Sequence, residues 1–355
     1  MLRTAIVRSL VEIVNALGPA SGRLLPFICP VVHQSVDVAL DHHVYLLEDG
    51  LALWHAALKE TPAMNEQFMQ MFRFLIPLLE RGDSSVKHCI QIIESYVLLG
   101  GVAFLQTYQE DLKNTLTKLA AGLPRDGLDA LSRLCDTIII AFPADGCTLM
   151  STVLTFLLEH VLTEFGKGTL VSPGPMMVVL SRVLLVNTTA FLHLCQAVSG
   201  KLGGDILTPF FNCWLEKFEV LSNNPLHGKM VVLALTHALV QPQLQAYVEP
   251  RFSLIMNVIV SGLLQYHKQA GEFLETDLMV RFSGPLPTFS TENESARRLG
   301  LSARDAVSTV NTRVVVAAAL EKIKASNQVA FARLMGTVDP ANIALLKPFM
   351  EGPPG

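Results

Sequence analysis

Apolar residues recur at intervals of three and four along almost the whole of this 355-residue chain, and no alternating run persists long enough to read as a strand. That single periodicity restricts the chain to helix packed on helix. Half the residues are hydrophobic and only 16% are charged, so most helices must bury two faces, as they do when stacked between neighbours. A regular helical repeat satisfies that demand at a length where a compact chain would split into domains.

Helices are expected near 3–17, 24–40, 44–59, 64–80, 84–99, 101–121, 126–141, 145–165, 175–198, 205–221, 226–240 and 243–268, separated by breaks carrying Gly, Pro, Asp or Asn. Leu17-Gly18-Pro19 reads as a helix end with glycine at C′, and Asp339-Pro340 as N-cap and N1. Asp83 is positioned to cap the helix after it. Four prolines, Pro26, Pro77, Pro209 and Pro250, fall inside apolar helical runs. Their separations are 51, 132 and 41 residues, and with 132 as three times 44 they point to a period near 44. HEAT repeats, two helices each, run to about 40–47 residues. The expected fold is therefore all-α: a HEAT-type solenoid, a right-handed superhelix of antiparallel helix pairs. The array covers 1–280. Residues 281–310, rich in Ser, Thr, Pro and Gly, read as a flexible loop, and 311–355 as C-terminal helices capping the array.

Function is bounded by what is missing. Net charge is −4, and the basic clusters Arg297-Arg298 and Lys322/Lys324 are too small for a nucleic-acid surface. The longest apolar stretch, Met176 to Val198, is interrupted by Arg182, Asn187 and His193, which argues against membrane insertion. A polytopic membrane protein is the alternative from another class. Six cysteines lie in apolar helical runs with no CxxC, as buried free thiols do. The sequon at Asn187 falls within an expected helix and is discounted. No metal, phosphate-loop or nucleophile-elbow motif occurs, so no catalytic, metal-binding or cofactor-binding residue is proposed, and the chain is not expected to be an enzyme. His42-His43 has no third ligand at a fixed spacing and reads as a solvated turn.

The most individual segment is Tyr45 to Trp54. Leu47, Leu51, Trp54 and Leu58 form one apolar stripe, and Leu46, Gly50, Leu53 and Ala57 the next, with Gly50 admitting a close neighbour. A narrow polar strip of Glu48, Asp49, His55 and Lys59 remains. Carboxylates in a first turn and a lysine in the last suit the helix dipole. The functional reading is an acidic inner surface at Glu48 and Asp49 that faces a basic partner.

Val44-Tyr-Leu-Leu-Glu-Asp-Gly-Leu-x-Leu-Trp54, Asp83-Ser-Ser-Val-x-x-Cys-Ile-x-Ile-Ile-Glu-Ser-Tyr96, Arg304-Asp-Ala-Val-Ser-Thr-Val310 and Phe331-Ala-Arg-Leu-Met-Gly-Thr-Val-Asp339 occur in this order. Together they resemble the carboxyl-terminal third of the importin-eleven group, within the importin-β family of nuclear transport receptors. The resemblance implies HEAT repeats that bind protein cargo, contact FG-repeat nucleoporins and shuttle between cytoplasm and nucleus. It also implies a Ran GTPase site in the amino-terminal repeats, a region this chain does not match, as expected of a fragment or a shortened paralogue. A HEAT scaffold with no transport role is the closer alternative.

Overall fold

The computed structural model describes residues 2–82, 85–171, 173–269 and 291–350. Among these residues every regular element is a helix or a 3-10 turn. The chain divides into two compact units, Met1–Phe156 with Ser283–Arg304 and Leu157–Phe282 with Asp305–Gly355.

In the first unit run α1 (Leu2–Leu17), α2 (Leu25–Val36), α3 (His43–Glu60), α4 (Glu66–Met71), α5 (Leu75–Arg81), α6 (Val86–Ala120), α7 (Arg125–Ala141) and α8 (Gly146–Leu149). After α9 (Ser151–Gly166), the second unit holds α10 (Gly174–Val186), α11 (Thr188–Leu202), α12 (Leu207–Glu216), α13 (Phe218–Ser222), α14 (Pro225–Leu239), α15 (Gln245–Val248) and α16 (Phe252–Gln269). The helix α17 (Glu292–Ser302) returns to the first unit, while α18 (Ala306–Thr309), α19 (Thr312–Ser326), α20 (Gln328–Met335) and α21 (Pro340–Met350) complete the second.

Stacking follows the repeat logic. In the first unit α3 packs on α1, α2 and α6, and α6 on α5 and α7; in the second α14 lies against α10, α13, α16 and α19. Side-chain bonds between successive repeats span 38 to 43 residues: Arg81 to His43, Lys87 to Asp126, Arg8 to Asp49, Trp54 to Tyr96, Lys201 to Glu159 and Gln265 to Ser222. That recurrence lies in and just below the HEAT range and well above the ~34 residues of a TPR unit.

The four prolines sit differently from expectation. None kinks the middle of a helix. Pro26, Pro77 and Pro209 fall in the first turn of α2, α5 and α12, and Pro250 lies in a 3-10 turn just before α16. A first-turn N–H has no intrahelical partner, so proline costs nothing there. The expected helix 64–80 accordingly splits into α4, a 3-10 turn at Phe72–Phe74 and α5. The run 175–198 also divides, because Asn187 caps α11 by accepting from the Ala190 N–H at 2.9 Å.

Other sequence signals hold. Gly18 takes φ +55° after α1, and Asp339 Oδ1 accepts from the Ala341 N–H at 2.8 Å as α21 begins. All six cysteines are buried and none forms a disulfide. Burial pushes the thiols of Cys195 and Cys213 up to about 12, out of reactive range. One described helix, α6, is long and apolar enough to cross a membrane, but it is broken at Gly101 (φ 53°, ψ −138°) and half of its apolar window is buried among neighbours. The cap expected at Asp83 lies outside the described residues.

The expected flexible loop 281–310 lies outside the described residues as far as 290. Beyond them it is corrected: residues 292–302 and 306–309 are helical. The segment is poor in apolar surface, but α17 is held by polar contacts.

Candidate functional site

The polar strip of α3 is the place to build from. Its apolar stripes are buried as periodicity requires: Leu51, Leu53, Trp54 and Leu58 are fully enclosed. Gly50 is indispensable to one face, since a Cβ there would lie 2.4 Å from the Ser35 Cβ of α2. What remains polar diverges along the helix. Asp49 turns toward α1, where Arg8 Nε donates to its Oδ1 at 2.7 Å. Glu48 is exposed, and its charge opposes the burial that lowers the His88 imidazole of α6. His55 stands edge-on to His88, ring centroids 5.9 Å apart. Burial pushes His55 down to about 3, with Lys59, His88 and Arg298 adding to the effect, so it carries no charge near neutral pH.

The helix starts at His43, so Glu48 and Asp49 lie beyond the first turn and the dipole does not account for them. Lys59, in the last turn, does suit the dipole and lies 3.9 Å from Glu294. The turn before α3 is exposed at Asp41 and His42, as a solvated turn requires, and its rings are held by arginines: Arg3 donates to the His42 ring at 3.0 Å and Arg81 to His43 Nε2 at 2.8 Å. Among the described residues no group of three or more His, Cys, Asp or Glu is arranged to hold a metal ion.

At its C-terminal end the strip runs under α17, a contact that reasoning from local sequence missed. The last carbonyls of a helix lack intrahelical donors. Here Arg297 supplies them, donating to the carbonyls of Leu58, Lys59 and Thr61 at 2.7 to 3.1 Å. Thr291 Oγ1 donates to the Lys59 carbonyl and Asn293 Nδ2 to that of Glu60, at 2.9 and 2.6 Å. Arg298 forks onto Glu94 of α6, at 3.2 and 3.0 Å, and also reaches Glu294. Thr137 of α7 holds the same Glu94 carboxylate at 3.0 Å. Burial raises the Glu60 carboxyl above its usual range, partly offset by Lys59 and Arg297. One local signal for α17 was present: Thr291-x-x-Glu294 has the spacing of a capping box, and Thr291 Oγ1 accepts from the Glu294 N–H at 3.2 Å.

Comparison with known proteins fixes the family. The sequence profile described as "Importin-11-like, TPR repeats" matches residues 4–351. The chain belongs to the importin-11-like family. The human and mouse proteins named Importin-11 are each 28% identical to it over 99% of the chain. The yeast importin beta-like protein KAP120 is 24% identical over 54% of it. The chain spans 37% of the length of those mammalian importin-11 relatives. The solved structure of the S. cerevisiae nuclear transport receptor Lph2 superposes over the whole chain with a TM-score of 0.73 at 17% identity, matching 39% of that receptor. This importin-11-like chain thus has the helical-repeat fold of a karyopherin. Its recurrence of 38 to 43 residues lies nearer HEAT units than the ~34 of the TPR repeats that the family's description names.

Proposed function

We propose that this chain is the carboxyl-terminal segment of an importin-type receptor, where it binds protein cargo for passage between cytoplasm and nucleus. The observation that carries this reading is the family match across nearly the whole chain, residues 4–351. FG-repeat nucleoporins are its partners during passage, and Ran GTPase acts on repeats nearer the amino terminus of the longer receptor. The chain alone therefore binds immobilised FG-repeat peptide and a basic cargo, and keeps that cargo in excess Ran-GTP. A ligand shifts a state only through differential affinity, and a segment without the main Ran surface has little to couple. A scaffold without a transport role ignores the FG peptide. Cargo release by Ran-GTP but not Ran-GDP places the coupling within these residues and overturns that part of the reading.

Cargo of basic character meets the strip at Glu48. Asp49 is already engaged by Arg8, so the two carboxylates are unequal. Glu48→Gln should slow association with a basic cargo by roughly two- to fivefold at low salt, the effect fading as salt rises. Asp49→Asn should change it less. Stopped-flow rates across a salt series decide this: unchanged rates for Glu48→Gln with the fold intact make the strip structural.

A further inference from the structure

The way α17 is attached differs from the attachment of the main packing helices. Its one buried residue is a glutamate, Glu294, and its Leu299 is 59% exposed. Helix α3, by contrast, buries Leu46, Leu51, Leu53, Trp54 and Leu58. Apolar burial, the main adhesive between helices, therefore contributes little to holding α17. Polar bonds remain: the Arg297 fan on the end of α3, the Arg298 fork on Glu94, and the Thr291 and Asn293 contacts. Water can satisfy each of these groups when the helix leaves. Elements held this way open at low cost.

The surface beneath α17 has its own chemical preference. It offers open carbonyls at the negative end of a helix beside a carboxylate positioned by Thr137. A planar guanidinium with forked donors matches both features better than an ammonium does. We infer that α17 is an internal ligand, seated reversibly on a guanidinium-binding surface formed by the end of α3 and Glu94, and that an arginine-rich helical segment of a partner protein takes its place. The inference rests on the cargo-binding reading above only in taking the partner to be a protein. Covalent attachment gives α17 a high effective concentration, so an outside ligand binds weakly until the internal one is released.

The probe is a fluorescent synthetic peptide of residues 291–302, TENESARRLGLS, titrated by anisotropy against the full chain. The variant Arg297→Ala/Arg298→Ala should bind it at least about tenfold more tightly than wild type, following from relief of internal competition. Adding Glu94→Gln should remove that gain, and a peptide with both arginines replaced should bind neither protein. Equal binding by wild type and the double variant, or a gain that survives Glu94→Gln, overturns the inference. If the double variant does not fold, hydrogen exchange on wild type decides. Amides of residues 295–302 should exchange at least about tenfold faster than those of α3, and faster still in added salt. Protection equal to that of α3 makes α17 fixed structure and ends the proposal. Peptide binding without FG or cargo binding leaves this surface standing and removes only the transport reading.

Discussion

Phe72→Ala should lower the stability of the first unit by about 3–5 kcal/mol, the usual cost of deleting a fully buried phenylalanine. Phe72 is inaccessible to solvent and lies in the 3-10 turn between α4 and α5. Its ring meets Tyr96, Phe104 and Tyr108 with centroids 5.1, 4.8 and 4.7 Å away. Those partners lie on both sides of the break at Gly101, so one side chain spans the bend in α6. The same switch from α to 3-10 geometry leaves the carbonyls of Phe68 and Met69 to the hydroxyls of Tyr96 and Tyr108, each at 2.7 Å. An alanine removes the packing and loosens the seat of both hydrogen bonds. The chain has two tryptophans, Trp54 in the first unit and Trp214 in the second, so urea unfolding followed in a Trp214→Phe background reads the first unit alone. A loss under about 1 kcal/mol would show that the cluster collapses around the gap and that Phe72 is not its centre.

How much of this was readable beforehand depends on how far apart the interacting residues lie. Helices announced themselves because their signal is local: a buried stripe at Leu51, Trp54 and Leu58, flanked by half-buried Leu47, needs only a few turns of chain. Gly50 was legible for the same reason, being the one residue without a side chain on a face of leucines. The breaks were harder. Asn187 looks like a polar interruption within an apolar run until its side chain is seen accepting from the Ala190 N–H. Pro26, Pro77 and Pro209 read as lying inside helical runs because a first turn and a helix interior look alike when both flanks are apolar. Local pattern could not reach α17 at all. Its acceptors at Leu58, Lys59 and Thr61 lie 236 to 239 residues away, and only the capping box at Thr291 gave any hint of a helix. The strip at Glu48 and Asp49 was visible as a strip, but the engagement of Asp49 by Arg8 depends on how α1 packs on α3.

Arg182→Met should cost the second unit about 3–5 kcal/mol, the range for breaking a buried ion pair by removing one partner. In sequence this arginine is merely a charge interrupting the apolar run of α10. In the fold it is 4% exposed and grips Asp305 with both terminal nitrogens, at 2.6 and 3.1 Å, across 123 residues. The same Asp305 Oδ1 accepts from the Val307 N–H at 3.0 Å and caps α18, so the pair fixes both a charge and a helix start. Methionine fills much of the volume but leaves the carboxylate largely out of water with no counter-charge. Asp305→Asn in the Arg182→Met background should recover part of the loss, because it removes the stranded charge while an amide oxygen can still cap. Unfolding followed by Trp214 in a Trp54→Phe background gives all four corners of the cycle. Strict additivity of the two substitutions would show that the charges do not act on one another, and the role given to Arg182 would pass to its packing alone.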